Sequence, residues 1–77
     1  MVTAFVLMNI EHRSLDEISE ALRGYDGISE VHVVAGEYDM VAVARVEDNK
    51  ELAELLTDHI IHTEGIRRTK TLISLEG

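Results

Sequence analysis

Apolar and polar residues along this chain alternate with a period that switches repeatedly between strand and helix. Val2 to Ile10, VTAFVLMNI, is rich in Val, Phe and Ile and too short for a typical helix, which predicts a strand. SLDEISEALRGYDG then places Leu15, Ile18, Ala21 and Leu22 at helical spacing. Ser14 with Glu17 three residues on reads as a capping box, and Gly24 suits a left-handed C-terminal position, predicting a helix over about Ser14 to Arg23. Ile28 to Ala35 and Asp39 to Val46 are two further strands, and the short Gly-containing turn between them predicts an antiparallel hairpin in which Gly36 takes a positive φ. A second helix is expected over about Asn49 to His62. Asp48 is its cap, Glu51 sits three residues on, Leu52, Leu55, Leu56 and Ile60 form its apolar stripe, and Gly65 stops it. IRRTKTLISL reads as a final strand.

The order strand, helix, strand, strand, helix, strand predicts an α+β fold, the ferredoxin-like βαββαβ sandwich. Both helices then lie on one face of a four-stranded antiparallel sheet. Side chains alternate between the faces of a strand. Met40, Ala42, Ala44 and Val46 therefore oppose Val41, Val43 and Arg45, and Val2, Ala4, Val6, Met8 and Ile10 oppose Thr3, Phe5, Leu7 and Asn9. Two helices cover one face only. The other still carries large aliphatic side chains, more than a monomer usually exposes. The expectation is a homo-oligomer built from dimers that pack sheet to sheet, as in a dimeric α+β barrel.

Composition sharpens this. Seventy-seven residues predict one domain, 1–77. A chain so short buries only roughly 60% of the surface it exposes when unfolded, and small domains compensate with disulfides, metals or oligomerisation. With no cysteine, disulfides and thiolate metal sites are excluded, and association is the remaining compensation. No apolar run approaches a membrane span and no targeting segment is evident, so the expectation is a cytoplasmic protein without a membrane partner. Fifteen Asp and Glu against seven Lys and Arg give a net charge of −8. Nucleic-acid binding needs a basic patch, and Arg67, Arg68 and Lys70 make a poor phosphate clamp on an acidic molecule.

Candidate chemistry is sparse. His59 and His62 lie three apart on the second helix, but a pair is short of the three or four ligands zinc requires. His62 reads instead as a cation near a helix C-terminus. His32 shares a face with Glu30 and Val34. It is a candidate general base in a barrel cavity, or an interface histidine hydrogen-bonded to a carboxylate, and the second reading is favoured. No nucleophile elbow, phosphate loop or nucleotide fingerprint is present. No catalytic residue, metal or cofactor is expected, and the chain reads as a non-enzyme. Asp39 opens the third strand, where a carboxylate beside free turn amides can receive a ligand's ammonium and carboxylate together.

VVAGEYDMVAVARVED, followed about twenty residues on by HTEGIRRTKTLISLE, resembles the effector (RAM) domain of the Lrp/AsnC, or feast/famine, transcriptional regulators. Two patterns carry the resemblance: Gly-x-Tyr-Asp before an apolar strand, and Gly-Ile before a Thr-x-Thr that opens the last strand. It spans essentially the whole chain and implies a ferredoxin-like fold whose sheet-paired dimers assemble into rings. It also implies amino-acid binding between neighbouring dimers. Gly36, Tyr38 and Asp39 match one side of that site, with Asp39 at the family's effector-response aspartate. Thr69, Thr71 and Leu72 match the facing segment. Full regulators carry a helix-turn-helix domain ahead of this module, whereas this chain starts at the first strand. The resemblance thus implies a stand-alone amino-acid-binding and assembly module in transcriptional regulation or amino-acid metabolism. Such a module needs no nucleic acid of its own and has full-length Lrp/AsnC regulators among its candidate partners. The alternatives left open are an α+β barrel enzyme with its cavity near His32, and an assembly module without a ligand.

Overall fold

The computed structural model describes residues 1–77. Strand β1 (Val2–Ile10) leads through a single 3₁₀ turn (His12–Ser14) into helix α1 (Leu15–Arg23). Strands β2 (Ile28–Val33) and β3 (Met40–Val46) form the hairpin, helix α2 (Asn49–Glu54) continues as a π-helical stretch (Leu55–Ile60), and β4 (Ile66–Ile73) closes the chain. The sheet is antiparallel throughout, in the order β2-β3-β1-β4, so the first strand is an inner strand and the hairpin flanks it. No helix is long and apolar enough to cross a membrane.

The helix-facing side of the sheet is Val2, Ala4, Val6, Met8 and Ile10 of β1 with Met40, Ala42, Ala44 and Val46 of β3, all but Val2 fully buried. Ala4 pairs with Ala44 and Val6 with Ala42, so the centre of that face is small and lets the helices approach closely. Ile18 and Leu22 of α1, with Leu52, Leu55 and Ile60 of the second helical segment, complete the core.

Three local devices differ from the sequence expectation. Ser14 makes no side-chain cap; the helix entry is held by backbone bonds, Ser14 N–H to Glu11 O at 2.8 Å and Glu11 N–H to Gly65 O at 3.0 Å. The 3₁₀ turn has already drawn Ser14 away from the extended conformation that a capping hydroxyl needs. Gly24 is not left-handed but sits at φ −86°, and the reversal falls at Gly27, φ +94°, after two more turn bonds. The second helix does start as expected, with Asp48 Oδ1 accepting from Glu51 N–H at 2.9 Å and Glu51 reaching back to Glu47 N–H at 3.1 Å. It then widens, with Ile61 N–H bonding Leu56 O five residues back. The wider turn brings Ile60 under the sheet five residues after Leu55 and leaves His59 on the flank, its ring 4.9 Å from that of Tyr25.

Gly65, by contrast, ends that helical segment as expected, at φ +102°. A β-carbon there would lie 2.7 Å from Ile18 Cδ1 and 3.2 Å from Ser14 Cβ. The strained backbone and the clash both oppose any side chain. Gly65→Ala should lower stability by about 1–3 kcal/mol, read as a drop in the urea midpoint at unchanged slope.

Candidate functional site

The β2–β3 turn is held from one side by the end of β1. The β1–β3 ladder stops at the Met8–Met40 pair, yet β1 runs on to Ile10. The Ile10 amide therefore has no strand partner on that side, and the Asp39 carboxylate takes its place, Oδ2 accepting from Ile10 N–H at 2.9 Å. Asp39 N–H donates to Met8 O at 2.9 Å, and Asp39 O accepts from Val34 N–H at 2.9 Å. Its other carboxylate oxygen, Oδ1, lies 3.5 Å from Nε2 of His12 in the 3₁₀ turn. On the adjoining side, Asn9 Nδ2 donates to Glu37 O at 2.8 Å while Asn9 Oδ1 accepts from Arg68 Nε at 3.3 Å, so one side chain joins the turn to β4.

The N–H groups between these anchors are free. The amides of Ala35, Gly36, Glu37 and Tyr38 donate no hydrogen bond within the chain, and Gly36 sits at φ +150° with no atom within 4 Å of a β-carbon built there. Gly36 thus has the positive φ expected of it. The turn is an exposed rim, and the cavities of the chain are lined by other residues.

Thr69 pairs with Met8 and Thr71 with Val6 on the far side of β1, and Leu72 pairs with Phe5 on the opposite face of the sheet. The row Thr69–Met8–Met40 separates the threonine segment from the turn by two strand spacings, roughly 10 Å, with the filled core face between them. Within one chain, Gly36, Tyr38 and Asp39 come together, and Thr69, Thr71 and Leu72 lie apart from them. Asn9, Ile10 and His12 were not singled out by sequence reasoning. A polar Asn in a run of apolar residues was a signal for the first. An orphaned backbone amide leaves no mark in a sequence.

The uncovered sheet face carries two rows that cross all four strands: Leu72, Phe5, Val43 and Glu30, and beside it Lys70, Leu7, Val41 and His32. Val43 is buried, but Phe5 remains 38% exposed and Leu72 47%. At the β2 edge, His32 Nε2 lies 3.0 Å from Glu30 Oε1, and Arg45 lies 3.5 Å from the other Glu30 oxygen. His32 thus has a carboxylate partner on an open face and lines no cavity.

The sequence profile of the Lrp/AsnC ligand binding domain matches residues 3–77. The chain belongs to the Lrp/AsnC family. It is 34% identical over 73 residues to the HTH-type transcriptional regulator FL11 of Pyrococcus abyssi, covering 95% of this chain and 48% of that protein. The crystal structure of TTHA0845 from Thermus thermophilus superposes with a TM-score of 0.95 at 36% identity, covering 100% of this chain and 96% of that one. The feast or famine regulatory protein of M. tuberculosis, solved in complex with L-methionine, superposes at 0.83 with 27% identity, covering 100% of this chain and 52% of that one. The chain spans about half the length of the curated regulators it matches. Its ferredoxin-like architecture is thus that of the Lrp/AsnC ligand-binding domain.

Two carboxylates on this surface are held below their ordinary range. The Ile10 amide bond, with His12 alongside, lowers Asp39 from its usual 3.8, and hydrogen bonds from His32 and then Arg45 lower Glu30 from 4.5. A carboxylate whose folded pKa is depressed stabilises the fold fully above its unfolded value and loses that contribution as pH falls through the folded value. Urea midpoints should therefore fall as pH drops below about 4.5, first through Glu30 and then, below about 3.8, through Asp39. Asp39→Asn and Glu30→Gln should each flatten their part of that dependence; a wild-type profile in both variants would contradict the assignment.

Proposed function

We propose that this domain binds an amino-acid effector and couples that binding to assembly, in the service of transcriptional regulation. The observation that carries the reading is the exposed turn of residues 35–39. Four unpaired amides beside a fixed carboxylate stand at the position the family resemblance marks for the effector. The site is split between chains. The turn of one chain supplies Gly36, Tyr38 and Asp39, and a neighbouring chain brings Thr69 and Thr71 against it, while Leu72, on the other face of β4, belongs to the sheet pairing. The separation of the two segments within a single chain supports this division, and so does the rim-like shape of the turn. The relative that holds L-methionine supports an amino acid as the ligand class and makes methionine the first compound to test.

Association is proposed to start at the uncovered sheet face. Leu72, Phe5, Leu7, Val41 and Val43 form an apolar centre with Lys70 at one edge and Glu30 at the other, a surface suited to a two-fold related copy of itself. Light scattering at micromolar concentration should then return at least about 17 kDa, twice the chain mass of 8.6 kDa. Phe5→Asp, which leaves the helix-facing core untouched, should shift the mass toward the monomer. A wild-type mass of 8.6 kDa would reject the paired sheets.

Titration calorimetry against the twenty common amino acids tests the ligand reading. Heat with saturation for at least one of them is expected, and Thr71→Ala should weaken it while His32→Ala leaves it unchanged. Binding abolished by His32→Ala and indifferent to the turn would move the site to the sheet face. No binding of any amino acid would reject the effector role.

A further inference from the structure

We infer that Asp39 serves the effector site from behind, as a positioning residue that ties the turn to the end of β1 and leaves the amides of residues 35–38, not its own carboxylate, to meet the ligand. The inference rests on the functional reading above and changes the role the resemblance suggests for this aspartate.

Three polar groups of Asp39 are hydrogen-bonded inside the chain, its N–H to Met8 O, its carbonyl to Val34 N–H and Oδ2 to the Ile10 amide at 2.9 Å, while Oδ1 lies 3.5 Å from His12 Nε2. An incoming ammonium that drew the carboxylate away from Ile10 would strand that amide, which has no other acceptor on that side of β1. A buried donor left unmade offsets most of what a new ionic bond contributes. The bond is partly buried beneath Ile10, which limits replacement of the carboxylate by water. The amides of Ala35 to Tyr38 have no such commitment. They are a run of unpaired donors in a turn whose Gly36 leaves open space, an arrangement suited to a carboxylate and unsuited to an ammonium. Asn9, next to Ile10 on β1, holds the same turn through Glu37 O, so the turn is braced at two points.

Asp39→Ala and Asp39→Asn separate positioning from charge, because an Asn side-chain oxygen still accepts from Ile10 N–H while carrying no charge. The probe is L-methionine in calorimetry, with backbone amide spectra and hydrogen exchange recorded without ligand. Asp39→Ala should displace the amide resonances of residues 35–38, speed exchange at Ile10 and weaken methionine by about tenfold or more. Asp39→Asn should rescue the turn resonances and bring affinity back to within about threefold of wild type, as a neutral acceptor replaces a charged one. Two results would overturn the inference. In one, Asp39→Asn keeps wild-type turn resonances yet loses methionine, as expected of a carboxylate that contacts the ligand. In the other, Asp39→Ala leaves the turn resonances and Ile10 exchange as in wild type. If Asp39→Ala does not fold, the comparison of Asp39→Asn with wild type decides alone. A wild type that binds neither methionine nor any other amino acid overturns the proposed function, while the ligand-free spectra still decide whether Asp39 holds the turn.

Discussion

A four-stranded sheet with two helices on one side leaves its second side bare, and the rest of this molecule is arranged around that asymmetry. The inner strand β1 feels it most. Its even-numbered residues from Ala4 to Ile10 are sealed under the helices, and its odd-numbered residues Phe5 and Leu7 sit in the middle of the uncovered face. A domain of this length has little apolar surface to spare. Placing Phe5, Leu7, Val41, Val43 and Leu72 outside the monomer's own core therefore makes structural sense when a second chain covers them.

The same strand organises the turn. Because β1 outruns β3 by two residues, its end projects as a ledge with an unmatched amide and a polar side chain, and the β2–β3 connection is fastened to that ledge through Asp39 and Asn9. The fastening is a neighbouring-strand interaction turned into a side-chain one. It fixes Asp39 and the Glu37 carbonyl and leaves the N–H groups of residues 35–38 unpaired. Arg68, bonded to Asn9, extends the linkage across β1 to β4. The extra residue there, Arg67, falls where the β1–β4 register shifts, and it is drawn toward Glu11 at 3.8 Å. Turn, ledge and last strand thus form one connected edge of the sheet, adjoining the uncovered face on which chains are proposed to pair.

Charge plays a secondary part. The exposed pairs around Glu30 contribute little to stability individually, since solvent screens them. Their position at the β2 edge, with Lys70 at the β4 edge, gives the apolar centre a charged rim at its two ends. Such a rim sets orientation between copies more than strength of association.

The element order, the strand faces and the two apolar stripes were legible in the sequence, because each depends on a period that local residues carry themselves. Ala42 and Ala44 already shared a face with Met40 and Val46 by alternation alone, and Asp48 with Glu51 already marked a helix start. The candidate turn was also legible as a turn, through Gly36, and its match to a family came from residues adjacent in the chain. What tertiary structure alone decided were contacts between segments distant in sequence. It set the helix entry at Ser14 through Glu11 and Gly65, and moved the left-handed residue from Gly24 to Gly27. It widened the second helix so that Ile60 could reach the core. It also turned Asp39 back toward Ile10 and His12. The pairing of a carboxylate with an amide 29 residues away depends on where one strand stops and its neighbour continues. That difference in strand length exists only once the sheet has formed.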